Sequence, residues 1–143
     1  MTADADVTAT FDPANGPFVR LTTTLTGDGK GETGADNSRC QNYDPPQGSA
    51  CATDYVNGSN ASVRAVPAAA SRFSGFTGSG DTAGCGATAT CSFTLTGNAA
   101  ITATFHAMTS IALAPSTVTL HPGEAQTYTA NGTFSNGVTE ALL

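Results

Sequence analysis

Four cysteines carry the clearest chemistry in this chain, and they fall into two local groups, Cys40 with Cys51 and Cys85 with Cys91. An even number of cysteines in a small, Gly-rich, Lys-poor chain is typical of disulfides made in an oxidising compartment. Three pairings are possible. The sequential one is favoured because each bond closes a short loop and would stabilise the fold by about 2–3 kcal/mol. The alternative is a zinc site, but neither group has a tight CxxC spacing and no histidine is close in sequence.

No catalytic pattern surrounds the two histidines, His106 and His121, which we expect in exposed loops. The HExxH, GxSxG and P-loop motifs are absent. Acidic residues gather loosely in two places that would suit calcium at a domain junction, but no DxDxDG loop exists; they are Asp4, Asp6, Asp12, Asp28 and Glu32. Spacing alone leaves open a glycosidase-like carboxylate pair, which would also need a cleft. We expect no enzymatic activity, no metal and no cofactor.

The composition is typical of an extracellular β-protein. Of 143 residues, 39% are hydrophobic but only 7% aromatic, with no Trp, so the core must be built from small side chains. Only 11% are charged, and Thr and Ser replace charges on the surface. The net charge of −6 disfavours nucleic acid as a partner. No apolar run approaches the roughly 18 residues that span a bilayer, so no membrane insertion is expected.

The residues that follow Met1 include neither a basic segment nor an apolar one, so no secretion signal is visible. We expect that an export signal has been removed or that the gene starts further upstream. The predicted location is secreted, extracellular or at the cell surface.

Alternating apolar and hydroxyl side chains predict half-buried β-strands, and no segment has a convincing helical period. The alternation is clearest in five segments: 7–11, 19–25, 63–65, 91–95 and 101–105. Four phenylalanines are expected to fill the core between these strands: Phe73, Phe76, Phe93 and Phe105.

Turn-forming residues divide the strands. A tight turn is predicted at 26–31 and a hairpin at Asn136-Gly137. Loops are predicted at 36–52 and 75–86, and a short connector at 106–109.

Residues 5–11 (Ala-Asp-Val-Thr-Ala-Thr-Phe) are echoed 94 positions later by 99–105 (Ala-Ala-Ile-Thr-Ala-Thr-Phe). Self-similarity at a fixed distance indicates tandem repeats. Residues 1–17 are therefore expected to be the last strand of a preceding repeat with its linker.

Several motifs follow one another in order: Leu-Thr-Thr-Thr-Leu-Thr-Gly-Asp-Gly-Lys-Gly at 21–31, a cysteine pair, Val-Arg-Ala-Val-Pro-Ala-Ala-Ala-Ser-Arg-Phe-Ser-Gly-Phe at 63–76, a second cysteine pair, and Ile-Thr-Ala-Thr-Phe at 101–105. On these motifs, about 19–105 resembles the divergent internalin B-repeat family of bacterial surface proteins. In that family the Pro-Ala-x-x-Ser-x-Phe-x-Gly segment usually continues with Trp, where this chain has Phe76. The loop between Cys40 and Cys51 is also longer than usual.

From Ser110 the chain resembles the opening of a group-2 bacterial Ig-like domain. The resemblance implies inward-pointing side chains at Ile111, Leu113, Val118, Leu120, Tyr128, Ala130 and Phe134. A complete Ig-like sandwich needs about 100 residues, so these strands would form only part of one. Its missing strands would come from a neighbouring subunit or from further residues of the same polypeptide. The segments that could take part in such strand donation carry Val7, Ala9, Phe11, Ile111, Leu113, Val118 and Leu120.

Together these patterns predict an all-β chain: a small disulfide-stapled β-repeat domain at 18–105 and a partial Ig-like β-sandwich at 106–143. The expected function is a non-enzymatic structural repeat of a secreted bacterial surface protein or extracellular filament, assembled head-to-tail by strand complementation. Its partners would be identical subunits or neighbouring domains of a longer chain. The alternative is an adhesin or carbohydrate-binding accessory module of a larger secreted protein, which an exposed aromatic patch would favour.

Overall fold

The computed structural model describes residues 17–36, 38–43 and 50–142, and this part of the chain is almost entirely β-structure. Its strands are, in chain order, β1 Phe18–Thr26, β2 Gly31–Ala35, β3 Ser38–Gln41, β4 Ala50–Val56, β5 Ser59–Pro67, β6 Ser71–Ser79, β7 Thr90–Leu95, β8 Ala99–Ala114, β9 Thr129–Phe134 and β10 Thr139–Ala141. One 3₁₀ turn, Gly80–Thr82, follows β6. The all-β fold class is confirmed. Val7, Ala9 and Phe11 lie outside the described residues.

Two sheets enclose one core. The first has the order β4-β1-β8-β6, in which β1 and β8 run parallel and the other neighbours antiparallel. The second has the order β3-β2-β5-β7 and is antiparallel throughout. The long strand β8 extends beyond the first sheet, where residues 108–114 pair with β9, and β9 pairs with β10.

The core follows the predicted alternation. Every second residue of β1 is buried, from Val19 to Leu25, and the residues between them are half-buried or exposed. The same pattern holds in β5 and in the first half of β8. Phe76 and Phe105 are buried, whereas Phe73 and Phe93 are partly buried and pack against this core. The remaining core side chains are aliphatic residues, cysteines and threonines, so the core contains few aromatic rings.

Two predicted loops contain strands that the pattern did not reveal. The loop at 36–52 includes β3 and the start of β4, and the loop at 75–86 includes the second half of β6. In β6 a register shift between Phe73 and Gly75 interrupts the two-residue period. It brings Phe73 and Phe76 together, with ring centroids 4.8 Å apart, although they are three positions apart in sequence. A bulge of this kind hides a strand from an alternation test.

The predicted connector at 106–109 is also strand, because β8 continues through it without a break. His106 therefore lies in a strand and not in a loop, and its side chain is 23% exposed. The hairpin predicted at Asn136-Gly137 is confirmed: it joins β9 to β10, and Gly137 adopts a φ of 80°.

The inward orientation predicted for the last segment is wrong for most of its apolar side chains. Phe134 is buried and Ala130 is half-buried, but the others are exposed: Ile111 by 62%, Leu113 by 58%, Val118 by 40%, Leu120 by 47% and Tyr128 by 50%. Ile111 and Leu113 lie on β8 where it forms a single layer with β9 and β10, and no described strand covers that layer. Val118, Leu120 and Tyr128 lie in the segment between β8 and β9, which forms no strand.

Candidate functional site: the exit junction and the exposed apolar face

One disulfide ties the first sheet to the second, and the other ties the segment after the 3₁₀ turn to the second sheet. Cys40 in β3 is bonded to Cys51 in β4, and Cys85, which follows the 3₁₀ turn, is bonded to Cys91 in β7. The pairing is the sequential one. The Cα atoms are 5.7 and 5.6 Å apart, within the normal range for disulfides. Cys40 and Cys85 are buried as part of the core, so the two disulfides act as staples that hold the second sheet to β4 and to the segment after the 3₁₀ turn.

The turn between β1 and β2 lies directly against β8, at the point where β8 leaves the first sheet. Gly29 N–H donates to the Phe105 carbonyl over 3.1 Å. A Cβ on Gly29 would come within 2.5 Å of the His106 carbonyl carbon, and one on Gly31 would come within 2.5 Å of the Phe105 ring. The Gly-Asp-Gly-Lys-Gly motif is therefore a packing surface for β8, since side chains at its glycines would push the turn away.

Asp28, in the same turn, joins the β-repeat unit to the β9–β10 hairpin. Its carboxylate accepts hydrogen bonds from the Ser135 hydroxyl at 2.7 Å and from the Ala107 N–H at 3.2 Å. His106 Nδ1 lies 3.5 Å from the same oxygen and 3.1 Å from Ser135 Oγ. The hydrogen bond from Ser135, followed by that from Ala107, holds the pKa of Asp28 below its usual range. We call the group Asp28, His106, Ala107 and Ser135 the exit latch.

A second set of contacts supports the hairpin at its far strand. Arg72 in β6 forms an ion pair with Glu140 in β10, with 2.8 Å between Nε and Oε2. A Cβ on Gly132 would meet the side chains of Leu142 and Met108 at 2.8 and 3.1 Å, so these groups are closely packed. We call the sheet formed by residues 108–114, β9 and β10 the terminal sheet. Together with the continuous strand β8, these contacts hold the terminal sheet against the unit formed by β1 to β8.

Two apolar side chains are exposed on the terminal sheet. Ile111 and Leu113 lie two positions apart on β8, on the same face of the sheet, and are 62% and 58% exposed; we call this the apolar face. Val118, Leu120 and Tyr128 are also exposed, but they lie in the segment between β8 and β9, outside the strands. Exposed apolar surface on one face of a sheet favours an interaction, because it remains unfavourably hydrated when left uncovered.

A shallow depression of about 320 Å³ lies on the second sheet between Glu32, Asp36, Arg39 and Arg64. Burial pushes the pKa of Glu32 upward, but hydrogen bonds from Arg39, Gln41 and Tyr43 outweigh it and bring that pKa below its usual range. A carboxylate held ionised by three donors is poorly suited to act as a general acid.

The described residues include neither a metal-binding cluster nor a membrane-spanning helix. No group of three or more His, Cys, Asp or Glu side chains converges there on a point where a metal ion could sit. No helix in this part of the chain has the length and apolarity to cross a membrane. His121 is exposed beside the turn at Pro122-Gly123, and its backbone N–H donates to the Glu124 carboxylate, which also lies 3.3 Å from its Nδ1.

Residues 45–109 match the family model of the divergent InlB B-repeat domain. The matched region includes β4 to β7 and β8 as far as Thr109, and with them three of the four cysteines. The comparison with curated proteins gave no match, and neither did the comparison with solved structures.

Sequence reasoning missed the residues that build the junction. Asp28 was considered only as part of a loose acidic group, and Ser135, Arg72 and Glu140 were not singled out. One pattern could have indicated the site: three glycines at alternate positions around Asp28 predict a turn that closely approaches another strand.

Proposed function

We propose that this chain is a non-catalytic spacer of a secreted bacterial surface protein or extracellular filament, which holds successive β-units in line. The observation that carries the proposal is the parallel pairing of β1 with β8. Because the two strands run in the same direction, the chain enters the unit at one end and leaves it at the other. The disulfides support an oxidising extracellular environment, and the B-repeat match supports a repeat of a surface protein.

The spacer proposal also concerns the terminal sheet, which would be the start of the next unit. Strand β8 crosses the junction without a loop, and the exit latch and the Arg72–Glu140 pair hold β9 and β10 beside it. A flexible hinge would let consecutive units rotate freely, whereas the continuous strand β8 fixes the orientation of the next unit relative to the first. We propose that the terminal sheet is one layer of an Ig-like sandwich.

The apolar face would then be the inner surface of that sandwich. A second layer over this face would remove its exposed apolar side chains from water, which is favourable. We propose that a neighbouring subunit supplies this layer by strand complementation, which gives head-to-tail assembly, because an interface between two different surfaces repeats without closing.

Assembly is tested by negative-stain electron microscopy and light scattering of the protein in the absence of reductant. We expect wild-type filaments or oligomers, and a monomeric, folded Ile111→Thr/Leu113→Thr variant, because both side chains lie on the apolar face. The matched control is Ile101→Thr on the same strand, where the side chain is fully buried and the change should unfold the unit. Wild-type protein that stays monomeric at high concentration would contradict complementation by a neighbour.

The alternative, an adhesin or carbohydrate-binding module, would need aromatic side chains grouped on the surface. The large aromatic residues exposed in the described part of the chain are Phe18, at 71%, and Tyr128, at 50%. Phe18 begins β1 at the entry end and Tyr128 precedes β9 beyond the exit end, so the two do not form a common platform. The spacer is therefore the better supported function.

A further inference from the structure

We infer that the parallel β1–β8 pair is a mechanical clamp that makes this unit resistant to stretching along its length. The inference deepens the proposed spacer function, since a spacer outside a cell transmits tension between its two ends. It concerns a specific pair of strands and a specific direction of load, both fixed by the topology.

The direction of load follows from the register. Leu21 of β1 lies beside Ala99 of β8, and the pairing continues in parallel to Thr26 and Thr104. Tension enters at the start of β1 and leaves at the end of β8, so it pulls the two strands in opposite directions along their common axis. All backbone hydrogen bonds between the two strands then share the load at once. If the strands were pulled apart sideways, these hydrogen bonds would break one after another.

Both loaded strands are interior strands of the first sheet. Strand β1 pairs through six residues with β8 and through seven with β4. Strand β8 pairs on its other edge with β6, through eight residues from Ser71 to Ser79. Neither strand can slide without breaking backbone hydrogen bonds to the neighbouring strands on both of its edges.

Side-chain burial adds a second resistance to sliding. Leu21, Ile101 and Phe105 are at most 1% exposed. Moving a strand by one residue along its neighbour turns every core-facing side chain toward solvent, because side chains alternate between faces. The first step of sliding therefore breaks hydrogen bonds and exposes the core at the same time.

The disulfides lie outside the clamp. One joins β3 to β4 and the other joins the segment after the 3₁₀ turn to β7, so neither bridges β1 and β8. The clamp is consequently held by non-covalent contacts alone. The staples act after it yields, because they keep the residues of the two closed loops from extending.

The test is single-molecule force spectroscopy with two attachment geometries on otherwise identical protein. Both proteins carry a handle at the N-terminus. One has its second handle on an azide-bearing amino acid at Ser116, just past β8, so that β1 and β8 are loaded in shear. The other has it at Gly97, before β8, so that the strands are peeled apart. A Cβ at Gly97 would meet nothing within 4 Å, so the label fits the fold.

We expect a rupture force several-fold higher in the shear geometry than in the peeling geometry. Equal forces would overturn the inference, provided that circular dichroism and thermal unfolding show both labelled proteins to be equally folded. Because the two proteins differ only in the direction of load, a difference in stability cannot produce the expected result.

Reduction supplies a second readout. The disulfides close loops of 11 and 6 residues, so reducing them should lengthen the extension after rupture by roughly 50 Å, at about 3.5 Å per residue less the span of each bridge. In the shear geometry the rupture force should stay several-fold above the peeling force after reduction. Loss of that difference on reduction would overturn the inference. The outcome is independent of the assembly test, because filament formation requires the apolar face and not the clamp.

Discussion

At the scale of single residues, the exit latch depends on one carboxylate. Asp28 accepts from two groups that belong to the far side of the junction, a side-chain hydroxyl and a backbone amide. Both donors favour the ionised form, which is why the pKa of Asp28 is lowered in the folded protein. A group whose folded pKa is depressed stabilises the fold above its unfolded pKa and loses that effect as the pH falls through the folded value.

We therefore predict that Asp28→Asn lowers the thermal midpoint at neutral pH, and that its difference from wild type shrinks as the pH falls below about 4. Amide hydrogen exchange should locate the effect: β9 and β10 should exchange faster in the variant, while β2 and β5 remain protected. A difference in midpoint that does not change between pH 7 and pH 2 would show that the carboxylate charge has no part in the latch.

The sequence identified some of these residues for physical reasons and missed others. The disulfide pairing was predicted because the sequential connection closes two short local loops. Buried β1 and β8 side chains were found because a half-buried strand imposes alternation. Asp28 and Ser135 are 107 positions apart. The glycines around Asp28 indicate a closely packed turn but not its partner, so only the fold reveals that the two residues meet.

At the scale of elements, the two disulfides add stability to a fold whose core contains few aromatic side chains. Removing a disulfide raises the conformational entropy of the unfolded chain, by an amount that grows with loop length. We predict that Cys40→Ala/Cys51→Ala and Cys85→Ala/Cys91→Ala each lower the free energy of unfolding by about 2–3 kcal/mol, with the larger loss for the 11-residue loop. Urea denaturation measures both values.

Reductant provides the control for the staples. It should destabilise the wild-type protein and have no effect on a variant that lacks all four cysteines. Pairwise variants as stable as the wild type would show that the bonds are incidental to the fold.

The elements also show where alternation fails as a guide. Strand β6 was assigned in part to a loop because a bulge places Phe73 and Phe76 on one side of it. Residues 106–109 were assigned to a connector because nothing in their local sequence indicates that β8 runs for 16 residues. In both cases pairing with strands distant in sequence determined the conformation. Local propensity carries no information about such pairing.

At the scale of the whole molecule, the topology favours an extended particle. Strand β8 alone would be about 50 Å long at about 3.3 Å per residue, whereas a compact sphere of this chain length would have a diameter of only about 37 Å. The parallel arrangement of β1 and β8 places the entry and exit of the chain at opposite ends of the unit. The spacer proposal depends on this arrangement, with strand β8 running without a break through residues 106–109.

Small-angle X-ray scattering of the Ile111→Thr/Leu113→Thr variant at low concentration tests this account most directly, because the variant removes association from the measurement. The account predicts an elongated monomer whose radius of gyration is clearly larger than the roughly 14–15 Å of a compact sphere of this length, with a largest dimension above about 50 Å. A radius of gyration near that of the sphere, with a symmetric distance distribution, would mean that the terminal sheet folds back on the first unit, which would contradict a spacer that holds its units in line.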